Sequence, residues 1–439
     1  MKTVPQKTLS LFDSVCIIVG IIIGAGIYET APMAAKAAGS GANTILIWLA
    51  GGLLALSGGL CYAELATMYP KQGGDYVYLT RAYGKGAGFL FAWTQLAVIR
   101  PADIALMAFV FGRYAESIYP FAGGITGYAA IAVVVLSIIN IISVRQAKWT
   151  QNLLTVIKIV SLLAIAAIGF FAVRPAPVQQ SIIPAGIDIP LALIFVMFTF
   201  GGWNEMAYVA AEMKKPHQNI ARAMLSGIAV VMLLYVLVNA AFLHALGYSK
   251  LAVSQAAAVD MTAKVFPDFA ARLVGVIICI SALGAVNGLI FTGARISYAL
   301  GSEHQVFRLL GKWNGRVGTP VWALIIQAVI GLAIIVFAGS FINTIFYTAP
   351  LVWMFFLASG ASVWVLRRKE AQTERKFKTP LFPLPVLVFC AAGAMMFYSS
   401  AAYALGNKRQ GFIVSIICLA AGAAVYLITS KKYPVDKIG

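Results

Sequence analysis

Twelve stretches of this chain are apolar over about 20 residues, the length an α-helix needs to cross a hydrocarbon core roughly 30 Å thick. They run at 9–37, 43–69, 87–115, 125–144, 151–173, 188–213, 221–247, 269–300, 320–338, 341–366, 383–405 and 409–430. Polar or helix-breaking runs separate them, such as Pro70-Lys71-Gln72-Gly73-Gly74, Arg174-Pro175-Ala176-Pro177, Lys214-Lys215-Pro216 and the segment from Arg367 to Thr379. Backbone in hydrocarbon must satisfy its own N–H and C=O groups, so such spans are expected as helices. The expected fold class is an all-α membrane protein of twelve transmembrane helices. Composition closes the alternatives. Of 439 residues, 61% are hydrophobic and 11% charged, against about 25% charged in an ordinary soluble domain. Soluble, disordered and collagenous chains are excluded.

The net charge of +18 then needs a different reading. In a soluble protein it would suggest nucleic acid. Here the cations sort by side: with the N-terminus inside, 23 Lys and Arg fall in cytoplasmic segments and 8 on the opposite face. That asymmetry predicts both termini in the cytoplasm and a multi-pass protein of the plasma (inner) membrane. No nucleic-acid partner is expected. The start, Met1 to Ser14, reads as a cytoplasmic N-terminus, with no signal peptide and no appended soluble domain. Cys16, Cys61, Cys279, Cys390 and Cys418 all lie in apolar stretches without a CxxC, and the three His (217, 244, 304) form no HExxH. No metal, cofactor or catalytic residue is therefore expected, and the chain reads as no enzyme.

Two spans carry glycine clusters near their middles. The first has Ile22-Ile23-Gly24-Ala25-Gly26-Ile27, the sixth Phe198-Thr199-Phe200-Gly201-Gly202-Trp203-Asn204. Glycine weakens a helix interior by about 1 kcal/mol relative to alanine. Either cluster alone fits close helix packing equally well. Together they occupy matching places in two five-span halves, the pattern of an inverted repeat of the leucine-transporter kind with its site at mid-membrane. The expected organisation is a first repeat at 9–173, a second at 188–366, two further spans at 383–430, and cytoplasmic termini at 1–8 and 431–439. An unwound helix frees N–H groups that attract a carboxylate and C=O groups that attract an ammonium. A zwitterionic amino acid carries both.

The motifs carry a resemblance. Ile18 to Ile27, Cys61-Tyr62-Ala63-Glu64-Leu65, Gly73-Gly74-Asp75-Tyr76, Ile99-Arg100-Pro101, Gly201-Gly202-Trp203-Asn204 and Val286-Asn287-Gly288 resemble the amino acid–polyamine–organocation superfamily. Arg100-Pro101 and the Gly-Gly-Trp-Asn run favour its L-type amino-acid transporter branch, as a bacterial light-subunit homologue. The resemblance implies that amides of Ala25 and Gly26, beside Gly24, hold the substrate carboxylate. It implies that carbonyls of Ile22, Phe198 and Gly201 hold the amino group, that Phe198 is the outer lid, and that Asn204 supports the second break. It also sets Lys158 where sodium-coupled relatives bind sodium, bridging helices one, five and eight, with Tyr235 acting alongside. In heteromeric members a cysteine between spans three and four joins a heavy subunit. Here Tyr119 to Thr126 has no Cys, so no disulfide-linked heavy subunit is expected.

Several charged residues keep two readings. Lys158, placed about seven residues into the fifth span, either snorkels to the interface or faces the bundle. Gln151, Thr155, Lys158 and Ser161 recur at helical spacing and favour an interior face. Arg100 and Asp103, three residues apart, read as a pair satisfying each other. Glu29 and Glu205 follow the two breaks. They either stabilise half-helix N-termini or receive a cationic side chain. The expected function is sodium-independent exchange of neutral L-amino acids by alternating access, with the lipid bilayer as surroundings. The alternative is a proton-coupled or cationic amino-acid or polyamine carrier using Glu29 or Glu205.

Overall fold

A computed structural model describes residues 4–176, 187–338, 341–407 and 409–432. Lys2, Lys408, Lys437, Pro177 and the last seven residues lie outside the described residues. The helices are α1 (Leu11–Ile22), α2 (Gly26–Ala38), α3 (Gly41–Met68), α4 (Asp75–Tyr83), α5 (Lys85–Thr94), α6 (Arg100–Ile118), α7 (Gly124–Ile142), α8 (Val144–Ala167), α9 (Ile189–Thr199), α10 (Pro216–Val253), α11 (Ala257–Thr262), α12 (Ala270–Glu303), α13 (Val321–Ala338), α14 (Phe341–Lys369), α15 (Leu384–Asn407) and α16 (Arg409–Lys432). Isolated bridges apart, no strand forms among the described residues.

Nine of the described helices are long and apolar enough to cross a membrane, and α1 with α2, bent by 52°, makes a tenth. Two further apolar helices, α9 and α13, are shorter. The described residues thus give nine or ten candidate spans against the twelve expected, with α9 and α13 not filling the sixth and ninth windows. The third window is α5 and α6 joined through a π-helical turn, Gln95–Ile99. Pro101, just past it, has no N–H to give the ladder, and a π turn is one way a helix absorbs that loss.

Local chemistry sets the ends. Ser10 caps α1 through a reciprocal pair with Asp13: the Asp13 amide donates to Ser10 Oγ at 3.1 Å and the Ser10 amide to Asp13 Oδ2 at 2.8 Å. Asp188 accepts from the Leu191 amide at the start of α9, where Pro190 follows in the first turn. Ser143 caps α8, which begins at Val144 rather than near 151. That shift places Lys158 fourteen residues into the helix, about 21 Å along it. A second difference is α4, a short helix inside what the sequence suggests is a polar connection. At the centre α1 packs on α8, α10 and α12, while α3 packs on α10, and α6 on α7 and α12.

Candidate functional site

The first break opens where α1 stops. Ile23 leaves helical geometry at φ −74°, ψ 83°, and the Gly24 amide folds back onto the Ile22 carbonyl at 2.8 Å. The chain resumes as α2 at Gly26. Among the described residues the amides of Ala25, Gly26 and Ile27 donate to no protein acceptor. Three N–H groups thus point out of one helix start, with the partial positive charge of that end behind them.

The second break follows α9. The Phe200 amide still reaches Val196 at 3.0 Å and Gly201 reaches Phe198 at 3.0 Å, after which Gly202 turns the chain at φ 105°. A 3₁₀-helix, Glu205–Glu212, continues instead of an α-helix. Among the described residues the Gly201 carbonyl accepts no hydrogen bond, and a Cβ added at Gly201 would meet only the carbonyl of Phe198. Phe198 is 37% exposed while Met197, Thr199 and Phe200 beside it are buried. Phe198 and Gly201 therefore border open space.

The two breaks touch. A Cβ at Gly202 would fall 2.6 Å from Ile21 Cγ2, and one at Gly26 would fall 3.2 Å from Thr199 Cγ2. The Thr30 and Thr199 hydroxyls lie 2.6 Å apart. The Tyr235 hydroxyl, from α10, donates to the Ile22 carbonyl at 2.9 Å and lies 3.4 Å from the Thr199 carbonyl. A hydroxyl has one proton, so the shorter contact is the principal bond. Ile22 O is thereby engaged by Gly24 and Tyr235 both. Gly24 is looser: a Cβ there would meet Met107 Sδ at 3.4 Å.

Lys158 is completely buried. Its Nζ donates to the carbonyls of Gly20 at 2.5 Å and Ile23 at 2.7 Å. A Cβ added at Gly284 of α12 would strike its Cε at 2.6 Å. The ammonium thus ties α8 to the end of α1, with Gly284 of α12 packed against it, and it does not snorkel. Its own helix carries buried Gln151 and Thr155 on the same face, and Thr155 Oγ1 donates to Cys16 O at 2.9 Å.

The carboxylates depart from the sequence reading. Arg100 does not pair with Asp103: its Nη1 donates to Glu205 Oε1 at 2.9 Å, with both side chains buried. Thr292 Oγ1 donates to the other Glu205 oxygen at 2.5 Å. Glu29 forms an ion pair with Arg113 of α6. Glu29 and Glu205 thus each face an arginine of α6, and Glu205 is the counter-charge of Arg100. The i, i+3 rule failed because Glu205, 105 residues away, reaches the guanidinium first. Asn204 Nδ2 donates to Tyr208 OH at 2.7 Å, and Tyr208 donates to the buried Asp75 at 2.8 Å. Asn204 therefore braces the second break from behind.

Sequence reasoning missed Thr199, Thr292 and Met107. Thr199 was findable as a lone polar residue at a break. Thr292 and Met107 carried no local signal.

Among the described residues the first break thus leaves free N–H groups at a helix start, and the second leaves an unused carbonyl. These are donors for an anionic group and an acceptor for an ammonium. Fold and site together are those of a multi-pass membrane protein whose two interrupted helices meet. The family model for amino acid permeases matches residues 9–423, and the chain belongs to that family, within the amino acid–polyamine–organocation superfamily and its L-type branch. It is 32% identical over 394 residues to b(0,+)-type amino acid transporter 1 of Mus musculus, covering 87% of this chain and 80% of that protein. The human counterpart is 32% identical over 396 residues, with the same coverage. Large neutral amino acids transporter small subunit 2 of Mus musculus is 31% identical over 401 residues, covering 88% of this chain and 75% of that protein.

Proposed function

We propose that this protein exchanges neutral L-amino acids across the plasma (inner) membrane by alternating access, without sodium and with both termini cytoplasmic. The observation that carries the reading is the pair of touching breaks with opposite backbone functions. The amides of Ala25 and Gly26 would hold the substrate carboxylate. The Gly201 carbonyl would take the ammonium first, with Phe198 O beside it. Ile22 O joins only when Tyr235 or Gly24 gives up its bond. Phe198 closes the site as an aromatic lid. Helices α1, α2, α3, α9 and α10 would rock against the rest, with a first repeat at 9–173, a second at 188–366 and two added spans at 383–430.

Lys158 supports sodium independence. A fixed ammonium already bonded to Gly20 O and Ile23 O supplies the positive charge that a coupling ion would otherwise bring. The relatives named as a small subunit suggest a partner for those proteins. We read this chain as acting without a disulfide-linked one, since Tyr119 to Thr126 carries no Cys. We also read it as a carrier rather than an enzyme.

The test is uptake into vesicles containing the purified protein. Trapped neutral amino acid should accelerate entry of labelled amino acid, equally in sodium and in potassium. Accumulation driven by a proton gradient with no effect of trapped substrate would overturn exchange.

A further inference from the structure

The connection between α14 and α15 has two sides. From Arg367 to Lys378 it carries six cations against two carboxylates, Glu370 and Glu374. Its inner side is fastened to the protein. Arg367 donates to both oxygens of Glu64 on α3, at 2.9 and 2.7 Å, and Arg375 Nε lies 3.4 Å from the first of them. The Thr379 amide donates to the second at 2.7 Å. Lys369 donates to the Ala82 carbonyl at the end of α4, and Arg81 pairs with Glu370 at 3.1 Å.

The outer side has no such anchors. Arg368, Lys376 and Lys378 are exposed. Lys376 meets Glu374, itself exposed. Arg368 and Lys378 make no hydrogen bond or ion pair among the described residues. Apolar groups stand beside them. Arg368 Cζ lies 5.6 Å from the Trp364 ring centre, and Trp364 lies 5.4 Å from Phe382. Next to Phe382, Leu381 is 79% exposed with φ at 53°. In water that leucine is disfavoured twice, by a backbone conformation L side chains seldom adopt and by an apolar side chain left in solvent. Its height accounts for it. Trp364 precedes the end of α14 at Lys369 by about 7.5 Å of helix, and Leu381 lies just before α15 begins at Leu384. The group therefore stands where two spans leave the hydrocarbon, the level that favours Trp and a charged neighbour.

We propose that Arg368 and Lys378, with Trp364, Phe382 and Leu381, form a binding site for the headgroup of an anionic phospholipid. The guanidinium and the ammonium take the phosphate. Leu381 lies among the first carbons of the acyl chains, where its exposure is no longer a cost. Cations clustered just past the end of a membrane helix attract anionic lipid. A lipid fits better than a soluble anion because the two cations are flanked by apolar groups at the level of the spans. The site is separate from the two breaks and rests on the membrane architecture, not on the transport reading.

Full-length protein purified in neutral detergent would be titrated with phosphatidylglycerol, with phosphatidylcholine and with inorganic phosphate, reading the unfolding temperature. Phosphatidylglycerol should raise it saturably, and the other two should not. Replacing both cations, Arg368→Gln with Lys378→Gln, should raise the half-saturating lipid concentration about tenfold. Arg308→Gln with Lys312→Gln removes the same charge from two other exposed positions and should leave it unchanged. Leu381→Asn keeps the backbone comfortable, since asparagine tolerates positive φ, and should weaken lipid binding without loss of fold. Equal weakening by the two double variants would mean that the lipid responds to net charge alone, and the proposal fails. It fails as well if inorganic phosphate or phosphatidylcholine matches phosphatidylglycerol, or if Leu381→Asn binds the lipid undiminished.

Discussion

The Arg100 guanidinium and the Glu205 carboxylate meet at 2.9 Å in the centre of the protein, with 4% and 6% of their side chains exposed. Removing one member of such a pair leaves the other charge buried and costs about 3–5 kcal/mol. Glu205→Gln should therefore lower thermal stability and reduce amino-acid uptake together. Loss of uptake with the unfolding temperature preserved would make Glu205 a binding residue instead.

Lys158→Ala strips two carbonyls, Gly20 and Ile23, of their donor. An unsatisfied buried polar group costs about 1–3 kcal/mol. It also loosens α1 from α8 and α12 at the first break. Exchange should slow at least tenfold in vesicles. Exchange kinetics matching the wild type would remove Lys158 from the mechanism.

Tyr235→Phe deletes one hydroxyl and keeps the ring, which packs edge-on against Trp48 and Phe200. The lost bond to Ile22 O is worth about 1 kcal/mol. The prediction is a small stability change with a several-fold change in exchange rate, read by vesicle uptake beside thermal unfolding. A large stability loss with normal exchange would mark the hydroxyl as structural only.

Gly24 and Gly26 separate by what a side chain would meet. At Gly26 the neighbours are Thr199 Cγ2 at 3.2 Å and the Thr199 backbone at 3.4 Å, and at Gly24 the flexible Met107 sulfur at 3.4 Å. Gly26→Leu should force the breaks apart and abolish binding. Gly24→Ala should fold normally, since its neighbour can move. Calorimetric titration with leucine, alongside unfolding curves, checks both. Undiminished binding by Gly26→Leu would sink the proposed carboxylate site.

How much was legible depends on how far each signal reaches along the chain. Glycine clusters announced both breaks because a weak helix interior is a local property. The polar stripe of Gln151, Thr155 and Lys158 announced an inward face, because helical periodicity is local as well. The start of α8 was misjudged by seven residues, since Arg145 and Lys148 read as loop until Asp13 on α1 accepts Lys148 at 3.1 Å. The pairing of Arg100 was misassigned, because a nearby acid in sequence stood in for a distant one in space.

By itself the sequence determined that this chain spans a membrane as helices and that two of them break. Those follow from hydrophobic length and backbone hydrogen bonding, which each segment settles alone. Only the tertiary structure decided which carboxylates are spoken for and that Tyr235 and Thr199 tie the breaks together. An ion pair forms between whichever charges packing brings within a few ångströms, and in this protein those partners stand up to about 300 residues apart, as Glu64 and Arg367 do.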